Sequence, residues 1–187
     1  GLQTRAKLPA QPVDTLTIVQ SRPIGAQLRG PALVASHQVW LRAFKKAQSQ
    51  IDIAQFYIAN RRGSRLDTII NIIRERGAQG IRVRLLVDKA FTKTYPKTIE
   101  RLKSSPGVEV RVIDGSQCYG GGILHAKYFV IDGRAAFVGS QNFDWRALEH
   151  IHELGVWTQA RGVVKRLHRI FERDWDAAAR PNALAPV

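Results

Sequence analysis

His125 and Lys127 stand two residues apart in the run Leu124-His-Ala-Lys-Tyr-Phe-Val-Ile131, and Ser140 and Asn142 repeat that spacing after a second apolar run. In extended backbone the side-chain period is two, so His125 and Lys127 project to one face while Leu124, Ala126, Tyr128 and Val130 take the other. An imidazole can attack phosphorus to give a phosphohistidine while a neighbouring ammonium offsets charge on the non-bridging oxygens. Ser140 and Asn142 add a hydroxyl and an amide donor, so the four groups can surround a phosphate without a metal. A histidine nucleophile must present an unprotonated nitrogen, and some group should accept the proton at its other nitrogen. Glu153, in the next expected strand, is the candidate. Asp132, at the turn closing the His125 strand, is expected to hold backbone or basic partners more than to act on substrate.

Other residues carry weaker signals. His150 and His152 read as surface histidines rather than metal ligands, and no metal or other cofactor is expected. His37 and His168 fall on expected helices and are assigned no function. Gly120-Gly121-Gly122 lacks the Lys-Ser/Thr ending of a nucleotide-binding loop and reads as a flexible rim beside the His125 strand. Lys93, Lys97 and Arg101 recur at i, i+4 and i+8, either as a basic stripe along a phosphate backbone or as a solvated helix face. Arg61, Arg62 and Arg65 form a basic turn with the same two readings. Phe143, Trp145 and Trp157 read as packing residues.

The elements that must position these groups follow from hydrophobic periodicity. A strand is expected near Thr15–Gln20, then a loop marked by Pro23, Gly25, Gly30 and Pro31. A helix over Ala32–Gln48 leads into a strand over Ile51–Ile58. The same α-then-β step recurs as a helix over Asp67–Arg76 closed by Gly77, followed by a strand over Ile81–Val87. It recurs again as a helix over Lys97–Lys103 and a strand over Val108–Ile113. Two apolar runs, Ile123–Ile131 and Ala135–Val138, are joined by a hairpin turn at Asp132-Gly133-Arg134. A strand over Glu153–Thr158 and an amphipathic helix over Val163–Ala179, with Leu167, Ile170, Phe171 and Trp175 on one face, close the series. This rhythm predicts an α/β fold, a layered α-β-α domain around a mixed, mostly parallel sheet. The expected organisation is a flexible lead over residues 1–13, a single domain over 14–180 and a tail or linker over 181–187.

The 187 residues suffice for one globular domain with a real core. Twenty-nine Lys and Arg against 15 Asp and Glu leave a net charge of +14, which favours polyanionic partners, either nucleic acid or an anionic phospholipid surface. Cys118 is the only cysteine, which excludes an internal disulfide and a cysteine-rich zinc module. No apolar run approaches the roughly 20 residues of a membrane-spanning helix. The sequence holds no Met, so the natural start is expected to have been removed, and an exported protein whose targeting segment was cleaved is one reading.

The pattern His125-x-Lys127-(four residues)-Asp132, followed by Gly139-Ser140-x-Asn142, resembles the HKD signature of the phospholipase D superfamily, whose members cleave or transfer phosphodiesters. The stretch Gly139–Val156 and the upstream Ile51-Asp-Ile-Ala-Gln-Phe-Tyr57 are similar to the N-terminal motif half of its phospholipase D3/D4-like branch. The resemblance implies a catalytic set of His125, Lys127, Asp132 and Glu153, with phosphate held by Lys127, Ser140 and Asn142 and the histidine oriented by Glu153. It also implies a metal-independent phosphodiesterase, acting on nucleic acid as a single-strand nuclease or, alternatively, on phospholipid headgroups. A second alternative is a non-catalytic polyanion-binding subunit. The family site faces two motifs against each other, one histidine attacking and the other protonating the leaving oxygen. This chain has one motif, so the second is expected from a homodimer mate or from a separate C-terminal half.

Overall fold

The computed structural model describes residues 15–27 and 33–180. The expected lead over residues 1–13, the tail over 181–187, and Gly30 and Pro31 of the first loop lie outside the described residues. In chain order the elements are β1 (Leu16–Ser21), β2 (Val34–Ala35), α1 (Ser36–Lys46), β3 (Gln50–Gln55), β4 (Ile58–Ala59), α2 (Arg65–Ala78), β5 (Arg82–Asp88) and α3 (Pro96–Lys103). They continue as β6 (Val108–Ile113), α4 (Gly115–Cys118), β7 (Tyr128–Ile131), β8 (Ala135–Gly139), β9 (Phe143–Asp144), α5 (Trp145–Glu149), β10 (Glu153–Thr158) and α6 (Arg161–Ala179).

Eight strands form one sheet in the order β2-β1-β10-β8-β7-β3-β5-β6. The α-then-β steps give the parallel pairs β3–β5 and β5–β6, and β1–β2 is also parallel. The hairpin and the return of β10 give four antiparallel pairs, β7–β8, β3–β7, β8–β10 and β1–β10, so the sheet is mixed. Its antiparallel share exceeds what the α-then-β rhythm alone implies, because β7 pairs with β3 as well as with its hairpin mate and no helix separates them in space. Alternation along the strands builds two cores. On one face Phe129, Phe137, Ile51 and Ile53 pack against α1, α2 and α3, with Trp40 edge-on to Phe129 at 5.7 Å and to Phe137 at 5.1 Å. On the other, Tyr128, Val130, Ala136 and Leu86 pack against Phe171 and Trp175 of α6. The three-layer α-β-α arrangement is therefore as the periodicity predicts.

Several boundaries differ for local reasons. The expected strand over Ile51–Ile58 ends at Gln55, whose fully buried side chain accepts the Phe143 N–H at 3.0 Å, and Ile58–Ala59 pairs with β9 in a separate two-stranded sheet. The first helix is shorter than expected because Val34–Ala35 pair with β1. On α6, Leu167 packs on the core but Ile170 is exposed. Along β1, β10 and β8 the face towards α6 outruns that helix, leaving Leu16, Ile18, Val138 and Leu154 exposed around half-buried Val156. The pairings Ile18↔Val156 and Val156↔Val138 make these residues one apolar surface.

Gly77 does not close α2, which continues to Ala78. A Cβ at Gly77 would stand 2.6 Å from the Pro106 carbonyl oxygen, so the glycine lets α2 touch the chain entering β6. Helix propensity alone favours Gly77→Ala by about 1 kcal/mol. The backbone contact reverses the sign, and the variant is expected to lose about 2 kcal/mol in urea denaturation; a gain would refute the contact.

Candidate active site at one edge of the sheet

The C-terminal ends of β3, β5 and β6 meet the starts of β7 and β10 along one edge, the location at which α/β sheets open a binding crevice. Residues 123–127 enter β7 from this edge. They lie outside the regular ladder, a correction to the expected strand from Ile123, because Asp88 rather than a neighbouring strand takes the Leu124 N–H, at 2.6 Å. Alternation nonetheless survives: Leu124, Tyr128 and Val130 belong to the α6-side core, and Phe129 and Ile131 to the other. Upstream, Gly120, Gly121 and Gly122 all have left-handed backbone, with φ of 74°, 140° and 79°. They bring the chain back so closely that a Cβ on Gly115 would collide with the Gly122 carbonyl.

His125 is exposed and Lys127 is buried. The Lys127 Nζ lies 2.8 Å from Nδ1 and 3.0 Å from Nε2 of His125, and donates to the His125 carbonyl oxygen at 2.6 Å. An ammonium in that position requires an unprotonated ring nitrogen as acceptor. Burial pulls Lys127 below the usual lysine range, and the charge of Glu153 opposes this. Burial pushes the Glu153 carboxyl up to about 7, with the Asp144 charge adding and Lys127 opposing. Glu153 Oε2 is buried without a partner, and no hydrogen bond joins Glu153 to His125. Glu153 thus senses the Lys127 charge but does not hold the imidazole in this state. Ser140 donates from Oγ to the Leu154 carbonyl at 3.3 Å, while Oδ1 of half-buried Asn142 lacks a partner.

Asp132 stands at the opposite end of β7. Its carboxylate accepts the N–H groups of Gln48, Ser49 and Gln50 at 2.8–3.1 Å and the Ser49 hydroxyl at 3.0 Å, and these bonds hold it below the usual carboxylate range. The structure brings together His125, Lys127, Ser140, Asn142 and Glu153 and leaves Asp132 as the anchor of the hairpin turn.

An aromatic row extends from the imidazole. Phe56 lies 4.7 Å from the His125 ring and 4.8 Å from Phe91, while Tyr57 packs on Phe91 at 5.4 Å and stacks with Tyr95 at 5.4 Å. The Tyr57 hydroxyl donates to Asp144 at 2.9 Å, which lifts the phenol to about 12 together with burial, the larger cause. Arg146 grips the same carboxylate at 2.5 Å. Phe56, Tyr57 and Arg146 fall within the stretches that carry the family resemblance but have no role assigned there; for Phe91 and Tyr95 the available signal is aromatics at i and i+4 inside the basic stretch Lys89–Lys97.

Other sequence expectations resolve differently. Pro96 opens α3, so Lys93 is not helical, and Arg101 is committed to Asp67 at 3.4 Å and Asn71 at 2.6 Å, which breaks the expected stripe. Arg61 pairs with Glu149 and lies 3.7 Å over Trp145, and Arg65 donates to the Leu148 carbonyl. Phe143 is fully buried and Trp145 and Trp157 pack on the first core. Among the described residues, Asp52, His168 and Glu172 form the one group with metal-ligand spacing, and the Arg84 guanidinium binds both of its carboxylates.

Residues 40–175 match the family described as Cardiolipin synthase, PLD-like domain. The chain belongs to the phospholipase D superfamily. It is 32% identical over 174 residues to phospholipase D Y of Dictyostelium discoideum, covering 88% of this chain and 39% of that protein. It is 31% identical over 181 residues to the 5'-3' exonuclease PLD3 of Xenopus tropicalis, covering 90% of this chain and 36% of that protein. This superfamily chain therefore spans roughly two fifths of the curated relatives it matches. Its fold is that of the phospholipase D family member Nuc from Salmonella typhimurium, with a TM-score of 0.68 at 16% identity over 88% of this chain and 95% of that one. No helix among the described residues is long and apolar enough to cross a membrane.

Glu153 supplies a pH test. An acid whose folded-state pKa, about 7, exceeds its ordinary 4.5 binds more protons when folded, so stability declines as pH rises from about 4.5 to 7. Glu153→Gln is expected to stabilise the protein at pH 8 by on the order of 2 kcal/mol, allowing for partial solvent screening, and to change little at pH 4. Denaturation curves at both pH values check this, and equal stability at pH 8 would count against the buried carboxylate.

Proposed function

We propose that this chain supplies one half of a metal-independent phosphodiesterase site that cleaves single-stranded nucleic acid through a phosphohistidine. The observation that carries the reading is the Lys127 ammonium held within 3.0 Å of both ring nitrogens of an exposed histidine, at the start of a row of aromatic rings. His125 forms the P–N bond as the P–O bond to the leaving nucleotide breaks. The histidine of the opposing half gives that oxygen its proton, then takes one from the water that hydrolyses the intermediate. Lys127 turns from the imidazole to the phosphate oxygens when substrate enters, and Ser140 and Asn142 complete the cradle. Lysine supplies the positive charge that a metal would otherwise bring.

Tyr57, Phe91 and Tyr95 favour a substrate with unpaired bases, because aromatic faces stack on bases of any sequence, and Arg146 adds a cation beside Tyr95. The opposing half is proposed to dock through the apolar surface of Leu16, Ile18, Val138, Leu154 and Val156, next to the catalytic edge. Either a second copy or a separate motif-bearing segment fits that surface. Light scattering on the purified chain distinguishes them: a dimer means a two-fold site, whereas a monomer inactive alone means that the second motif lies on another segment.

His125→Ala is expected to reduce cleavage of labelled single-stranded DNA by about a thousandfold or more, and chelator to leave the wild-type rate unchanged. Headgroup release from liposomes without DNA cleavage would transfer the same chemistry to lipid, and salt-sensitive binding without turnover in either assay would leave only a binding subunit. Tyr57→Leu and Tyr95→Leu are each expected to raise KM for single strands about tenfold, and to leave hydrolysis of bis(p-nitrophenyl) phosphate within about twofold. Equal losses on both substrates would assign the tyrosines to the fold.

A further inference from the structure

The β7–β8 hairpin ends at the catalytic edge on one side and at a cavity of about 440 Å³ on the other. That volume lies in the range of small-molecule sites, about 300–1,000 Å³, and is far larger than one inorganic anion requires. Its floor is apolar, formed by Val39 of α1 and Ile131 at the end of β7. Its rim carries Arg42, Lys46 and Arg134. Arg42 and Lys46 are one helical turn apart on α1, a like-charge spacing that is unfavourable unless an anion relieves it. All three cations are exposed, and none enters a salt bridge among the described residues. The one carboxylate in the lining, Asp132, is already committed to the 48–50 backbone.

The rest of the wall is suited to a flat heterocycle. Trp157 lines the cavity and is partly exposed there. Thr17 offers a hydroxyl, and Gln159, whose Oε1 accepts from Thr15 at 3.1 Å, has no acceptor for its amide hydrogens among the described residues. An acyl chain would use the floor but neither of these polar groups.

We propose that this cavity is a second ligand site that binds a nucleoside monophosphate, with the phosphate on Arg42, Lys46 and Arg134 and the base against Trp157. The site is separate from His125 and Lys127; Asp132 of the HKD pattern lines it only as the carboxylate already bound by the 48–50 backbone, so the proposal does not depend on the catalytic assignment of the first two.

The test is calorimetric titration of the full chain with thymidine 5'-monophosphate, in the Lys127→Ala background so that the HKD phosphate cradle does not contribute. Inorganic phosphate, thymidine and phosphatidylglycerol vesicles serve as single-feature probes. Adding Arg42→Gln with Arg134→Gln is expected to weaken nucleotide binding at least tenfold while leaving the thermal melt unchanged, since both side chains are exposed. Adding Trp157→Phe should abolish the nucleotide-induced change in tryptophan fluorescence. The proposal is overturned by absence of binding, by binding indifferent to the arginine pair, by equal affinity for inorganic phosphate, or by arginine-dependent binding of vesicles but not nucleotide.

Discussion

One buried carboxylate sets the position of the segment that carries His125 and Lys127. Asp88, 2% exposed at the end of β5, accepts the Leu124 N–H through one oxygen and the Ala90 N–H through the other. It therefore ties a strand end, the turn that presents Phe91 and the residue before His125 to a single point. The bond matters because the chain reaches Leu124 through three left-handed glycines, the least restrained backbone available. Charge-assisted bonds to backbone amides are short and strong, and without this one the buried Leu124 amide would lack a partner. The distance between the imidazole and its aromatic neighbours is thus decided by a residue that carries no chemistry itself.

The same edge concentrates ionisable groups that burial drives towards neutrality. Lys127 is lowered and Glu153 raised, each partly restrained by the other. A phosphate diester entering this space adds negative charge, which favours the charged form of Lys127 and the protonated form of Glu153. A carboxyl raised in this way holds its proton more readily than an ordinary glutamate, and this changes the part expected of it as a partner for the histidine. Asp144 contributes from a distance, raising Glu153 while its own charge is neutralised by Arg146 and bound by Tyr57.

The layers, the hairpin and the cluster of His125, Lys127, Ser140, Asn142 and Glu153 were legible because they rest on local periodicity and on fixed spacing within one stretch of chain. β6 and β10 match their expected ranges residue for residue. What stayed hidden depends on contacts between distant segments. Gln55 ends β3 early because it serves Phe143, 88 residues away, and Gly77 lies inside a helix because of what packs against it. The aromatic row joins the end of β3 to a turn after β5, two stretches that no local pattern relates. Asp132 and Arg101 show the converse: a motif or a stripe suggests a task that neighbouring donors and acceptors have already taken.

The pairing of β1 with β10 bears on the order of assembly. The first strand lies between β2 and the tenth, in register from Leu16↔Thr158 to Ser21↔Glu153, so the sheet closes only after nearly the whole domain has left the ribosome. Until then β1 has only the two-residue β2 beside it and leaves its other edge open, with Leu16 and Ile18 exposed, the kind of edge that recruits other chains. The strand that completes the sheet also delivers Glu153, so closing the sheet and bringing this carboxylate to the edge that holds Lys127 are one event. A nascent chain released before β10 would have His125 and Lys127 but neither a closed sheet nor its third ionisable group.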